Sequence, residues 1–293
     1  MQASIPAPAP LLVDAHVHFH RGFDQDRFLD AALANFRQGA AELSLEQGFL
    51  GCLLLAEPAD AHWFGHLRSG GGSGSWSFDP TEEPSGIVAR SSTGERLLVI
   101  AGRQVRTREG LEVLALASAE EFPDGLPFAD ALARVRWSGA VPVLPWGFGK
   151  WWFYRGGLVE AVIRRPEPKW ILLGDNAGRP LAGGTPRLFR EAAARGIPVL
   201  PGSDPLPLPE HETRAGSYGF VVDGGLSERR PAEGLRRWLR GLSGQPRVFG
   251  RCESLPRFFR DQTLLRLHRP VGFKSSAPSP AQTGRPAASS WTR

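Results

Sequence analysis

Cysteine is scarce in this chain: Cys52 and Cys252 are the only two in 293 residues. They follow no metal-binding or redox spacing, which excludes a cysteine-based site and makes a reducing cytoplasm the expected setting. Long apolar runs are missing too. The longest stretches, such as Gly51-Cys52-Leu53-Leu54-Leu55-Ala56, are too short to cross a bilayer, so no membrane partner is expected. Met1 to Pro10 is rich in Pro and Ala and lacks a basic segment leading into an apolar one, so it does not read as an export signal. Lysine is nearly absent, and the net charge of +5 comes from arginine. Arg236, Arg237 and Arg240 fall on one expected helix, and Arg257, Arg260 and Arg266 on another. Solvated helix faces account for that pattern, which argues against nucleic acid as a partner.

Histidine is sparse as well, and its placement is informative. Three of the seven histidines lie in His16-Val17-His18-Phe19-His20, just after the apolar run Leu11-Leu12-Val13. In an extended strand side chains alternate between faces, so Asp14, His16, His18 and His20 are expected to project together, opposite Ala15, Val17 and Phe19. A row of imidazoles beside a carboxylate suits a divalent metal such as zinc, manganese or iron.

Further along, short apolar segments alternate with amphipathic ones. Expected strands at Leu11 to His18, Gly48 to Ala56, Ala140 to Leu144, Lys169 to Leu173 and Ile197 to Leu200 are separated by helical patterns. One of these, Asp24 to Phe36, carries Phe28, Leu29, Ala32, Leu33 and Phe36 at helical spacing, with Asp24 as N-cap. Between Trp76 and Leu116 turn signals at Ser92-Thr93-Gly94 and Arg108-Glu109-Gly110 mark a β-rich insertion. The alternation predicts an α/β fold with a parallel sheet, in the form of a TIM-like β/α barrel of seven or eight strands with a small β insertion. A single barrel domain is expected over 11–269, preceded by a flexible N-terminus (1–10) and followed by a disordered tail (270–293) rich in Ser, Pro, Ala and Gly.

In such a barrel the ends of the strands converge on one face. The polar residues there are His16, His18 and His20, Glu57, Gln104, Lys150, Asp175, Arg179, Asp204 and Arg214. His16, His18, His20, Glu57 and Asp204 are the candidate metal ligands. Asp204 is in addition the candidate general base. Lys150, Arg179 and Arg214, with Asp175, are the candidate contacts to a small anionic substrate, since guanidinium and ammonium groups recognise phosphate and carboxylate. Arg179 and Arg214 have a second reading as partners of neighbouring carboxylates in structural bridges.

Asp14-Ala15-His16-Val17-His18 resembles the His-x-His opening strand of the amidohydrolase superfamily and of the polymerase-and-histidinol-phosphatase (PHP) family. The stretch Gly102 to Leu116 resembles the second PHP motif, and Gly202-Ser203-Asp204 the late Ser-Asp-Ala-His motif. The resemblance runs from about Leu11 to Gly219 in the family's order. It implies a metal-dependent hydrolase of the phosphoesterase or amidohydrolase type. The chain departs from the pattern where Gln104 replaces the glutamate ligand, where Pro205-Leu206 replaces Ala-His, and where no histidine occurs between His66 and His211. A single metal is therefore expected rather than a cluster. The alternative is a catalytically impaired scaffold that binds a ligand or a protein. A non-hydrolytic lyase is a third reading, since one scaffold hosts several chemistries.

Overall fold

The computed structural model describes residues 9–45, 48–72, 74–165, 171–224 and 226–267. All but two residues of the expected flexible N-terminus, the first two of the expected strand Lys169 to Leu173, and the whole expected tail lie outside the described residues.

The chain opens with β1 (Leu11–Val17), α1 (Gln25–Glu42), β2 (Leu50–Leu55) and α2 (Trp63–Arg68). Five strands follow: β3 (Trp76–Pro80), β4 (Gly86–Ser91), β5 (Arg96–Ile100), β6 (Gly102–Arg106) and β7 (Glu112–Leu116). Helices and strands then alternate as α3 (Phe128–Trp137), β8 (Val141–Pro145), α4 (Tyr154–Ile163), β9 (Leu172–Asn176), α5 (Arg187–Ala194) and β10 (Val199–Gly202). A one-turn helix at Pro209–Thr213 precedes β11 (Tyr218–Val222), α6 (Pro231–Gly241), β12 (Val248–Gly250) and α7 (Leu255–Leu267). Asp24 caps α1 as its sequence predicts, accepting from the Arg27 amide at 2.9 Å.

The expected β/α barrel is not what forms. Among the described residues the strands divide into two open sheets, one of seven strands in the order β12-β11-β1-β2-β5-β4-β3 and one of five in the order β10-β9-β8-β7-β6. The physical reason lies in the connections. Only turn-length segments join β4 to β5 and β6 to β7, and a link that short permits a hairpin but no parallel crossover. The stretch read as an insertion thus supplies members of both sheets, with the change of sheet at Ala101. Among the described residues a few backbone hydrogen bonds join the sheets at two seams. Glu57 pairs with Gly102 and Gln104 beyond β2, and the Asp204 amide donates to the His16 carbonyl at 2.8 Å beyond β10.

Packing follows from this division. Leu11, Val13, Cys52, Leu54, Leu98 and Ile100 of the larger sheet meet Leu114, Leu116, Val143, Leu172 and Leu200 of the smaller in one core, which α6 closes through Leu235 and Leu239. α1 and α2 cover the outer face of the larger sheet. α3, α4 and α5 cover that of the smaller. Each strand of the shared core is therefore apolar on both faces, which is why β1 and β2 read as continuous apolar runs. No described helix is long and apolar enough to cross a membrane.

Candidate metal centre

A β-bulge shapes the histidine strand. β1 pairs with β2 in register through Asp14 and Leu53, but Val17 then lies opposite Leu55, so β1 holds one extra residue. Val17 joins Leu12 in the core under α1, whereas Ala15 joins Leu11 and Val13 between the sheets. The alternation therefore changes phase between Ala15 and Val17, and the expected common face of Asp14 with the imidazoles does not survive. Phe19 stacks flat on Trp63, ring centroids 4.1 Å apart, and fixes the segment after the strand.

His16 and His18 then turn their rings toward each other, with the two Nε2 atoms 3.0 Å apart. Asp204, directly beyond β10, brings Oδ1 to 3.6 Å from His16 Nε2 and 3.4 Å from His18 Nε2. Gly202 permits this approach, because a Cβ there would stand 2.5 Å from the backbone nitrogen and Cβ of His16. Asp204 itself has a φ of 47°, a left-handed conformation that Asp tolerates better than most residues.

Asp14 is the clamp behind this triangle. Its Oδ1 accepts from the amides of Ser203 at 2.8 Å and His16 at 3.2 Å, and its Oδ2 from Gly216 at 2.8 Å. One carboxylate thus ties β1 to the two segments that flank the site. Burial pushes the Asp14 carboxyl up to about 6, and the amide donors partly offset that.

The protonation states suit a cation. Burial lowers the His16 imidazole to about 4, leaving it neutral near pH 7. Burial alone would raise the Asp204 carboxyl, but the His16 and His18 imidazoles and the Lys150 ammonium hold it below the usual carboxylate range. Ligands at about 2.0–2.1 Å around a tetrahedral ion stand roughly 3.3 Å apart, so edges of 3.0, 3.4 and 3.6 Å fit one first-row divalent metal. Among the described residues His16, His18 and Asp204 are the group of three that meets this requirement.

The other expected site residues are placed differently. His20 Nε2 donates to the Pro205 carbonyl at 2.6 Å, which turns it to the loop after Asp204. Glu57 accepts from the Phe64 amide at 3.0 Å and faces Arg103 at 3.5 Å. Arg179 grips both oxygens of Asp175 at 2.7 and 2.8 Å, and the Tyr218 hydroxyl donates to the same carboxylate. Arg214 donates to Glu253 at 3.0 Å. Lys150 sits in electrostatic reach of His16 and Asp204, and it is paired with Glu112 of β7. Glu112 escapes a reading of the sequence, because nothing local links the start of one strand to a loop nearly forty residues later.

No family model and no curated protein matches the chain. Solved structures similar to it include the following three. PsfC from Pseudomonas syringae PB-5123 is 16% identical over 88% of this chain and 98% of its own, with a TM-score of 0.49. The lesion-specific endonuclease Q from Pyrococcus furiosus is 13% identical over 82% of this chain and 57% of its own, with a TM-score of 0.49. An endonuclease Q complex with a 27-mer duplex bearing an abasic lesion at the active site is 13% identical over 80% of this chain and 57% of its own, with a TM-score of 0.47. This chain thus spans little more than half the length of the endonuclease Q chains. The expectation that nucleic acid is an unlikely partner is withdrawn, since the similar endonuclease Q structure holds a 27-mer duplex. It rested on arginines of α6 and α7, and those helix faces carry no information about what a site at the strand ends admits.

Proposed function

We propose that this protein is a hydrolase that uses one divalent metal, held by His16, His18 and Asp204, to cleave an anionic ester or amide. A bound zinc, manganese or iron ion supplies Lewis acidity there and stabilises negative charge on the reacting group. The chain contributes the rest. His16 presents a neutral Nε2 lone pair with the His18 Nε2 3.0 Å beside it, and Asp204 presents an ionised carboxylate on a backbone held in place by the Asp14 clamp. Lys150 adds a cation at the rim, where an anionic substrate exchanges with Glu112 for its ammonium group. Asp175, Arg179 and Arg214 act as scaffold, since their charges are satisfied within the chain. The convergence of three donor atoms on one position carries this reading.

Metal content of the purified protein, followed by titration of stripped protein with zinc and manganese, tests it. We expect one equivalent per chain and its loss in His16→Ala. Hydrolysis of 4-nitrophenyl phosphate, bis(4-nitrophenyl) phosphate and a duplex oligonucleotide then reports the bond cleaved. A wild-type chain that takes up no divalent metal defeats the proposal.

One observation favours a second reading. Neither His16 Nδ1 nor His18 Nδ1 has a hydrogen-bond partner, although both are buried. Metal-binding imidazoles ordinarily gain basicity from such a partner. A scaffold that binds an anion without metal would show thermal stabilisation by phosphorylated ligands that is unchanged by chelator.

A further inference from the structure

The loop that follows Asp204 is Pro205-Leu206-Pro207-Leu208-Pro209. Alternating prolines fix φ at three positions and remove three amide donors, so the segment moves as a stiff unit with two N–H groups. The Leu208 amide is used within the loop, donating to the Leu206 carbonyl at 2.7 Å. The Leu206 amide donates to Nδ1 of His211 at 3.0 Å. His211 is buried, and its Nε2 donates in turn to Asp261 of α7 at 2.9 Å, with Asp261 buried as well. A donor on one side and an acceptor on the other thus select one neutral tautomer, in which Nδ1 carries the lone pair that the loop requires. The Arg214 guanidinium lies 3.2 Å from Nε2 and 3.5 Å from Nδ1, and Arg260 holds the other oxygen of Asp261 at 2.8 Å.

We propose that His211, held by Asp261, is a positioning residue that fixes the stiff loop and with it the carboxylate of Asp204. The inference rests on the proposed metal-dependent function for its consequence, but its structural content is independent of it. A hydrogen bond two residues from Asp204 sets the direction in which the loop leaves β10. α7 thereby reaches the site without touching any of its three donors. The same helix holds the neighbouring loop, since Phe258 packs against Phe148 with ring centroids 5.1 Å apart. One helix therefore sets the two loops that bear Asp204 and Lys150.

Two substitutions in the full chain separate this role from general packing. His211→Asn retains an acceptor close to the position of Nδ1, whereas His211→Gln places its polar atoms near Nε2. Amide exchange at Leu206 and the affinity for added Co²⁺ are the readouts. We expect His211→Gln to weaken Co²⁺ binding by about ten-fold, the lower range for groups that orient metal ligands, and to speed Leu206 exchange, with His211→Asn restoring most of both. Equal behaviour of the two variants, or unchanged exchange at Leu206 in both, overturns the proposal. A wild-type chain that binds no Co²⁺ refutes the metal reading instead, and the exchange difference between the variants still decides the positioning role.

Discussion

Single residues decide whether the donor atoms meet. Gly202 lies where β10 crosses closest to β1, and a methyl group there collides with the His16 backbone. Gly202→Ala is expected to cost about 1–3 kcal/mol, the range for overpacking, and to weaken metal binding because it pushes Asp204 from the imidazoles. Chemical denaturation and metal titration of the same variant check both parts, and an unperturbed affinity would show that the triangle tolerates displacement. Phe153 presents the reverse case. It has a φ of 56° and a ψ of −137°, where glycine is favoured, and its ring is 90% exposed. Little packing is lost on removing the ring, so Phe153→Gly is expected to raise stability by up to about 1 kcal/mol through relief of backbone strain. A lower melting temperature would mean that the ring contributes contacts that outweigh that relief.

At the level of elements, the bulge in β1 and the lightness of α7 matter most. Strict alternation would have set Asp14 beside the imidazoles. The bulge instead sends Asp14 to the backbone of Ser203 and Gly216 and leaves the histidines to Asp204. α7 buries only Phe258 and Asp261. It is expected to exchange its amides well before β1, in which every residue is buried, and hydrogen exchange followed by mass spectrometry orders the two. Protection of α7 equal to that of β1 would contradict this. α1 shows how local signals suffice when packing agrees with them: its cap and its buried stripe of Phe28, Leu29, Ala32, Leu33 and Phe36 stand where the spacing places them. Asp24→Ala is expected to cost about 1 kcal/mol in a urea titration, as the loss of a helix cap does, and a change near zero would show that Glu212, which accepts from the Asp24 amide, holds the helix start by itself.

For the molecule as a whole, buried titratable groups set the response to pH. His16 and His20 are lowered from 6.5 to about 4, so between those values the unfolded chain binds protons that the folded chain refuses. Their contribution to stability is lost as pH falls through that window. Asp14 acts in the opposite sense. Raised from 3.8 to about 6, it takes up a proton in the folded chain first and favours folding as pH falls. Burial also lowers His211 and raises Glu57, so three imidazoles stand against two carboxylates and leave a net loss on acidification. The metal-free protein is therefore expected to show a lower urea midpoint at pH 5 than at pH 7, and His16→Ala to reduce the difference. A midpoint that rises at pH 5 would mean that Asp14 dominates.

The sequence by itself determined the identity of most elements and pointed to the two imidazoles of the candidate site, because apolar periodicity and a His-x-His pattern are local properties of the chain. It also marked Asp204 through a short motif at the end of an apolar run. Tertiary structure decided how the sheets close and which neighbours each charged group finds. Turn-length links fold strands back as hairpins, so the β-rich stretch divides between two sheets and no barrel closes among the described residues. Arg179 meets Asp175 four residues earlier, the local bridge that its second reading allowed, whereas Arg214 meets the distant Glu253. His20 and Glu57 have ligand chemistry but are turned toward Pro205 and Phe64 by hydrogen bonds. The pairing of charges and the phase of a strand depend on contacts across many intervening residues, and those contacts exist only once the sheets have met.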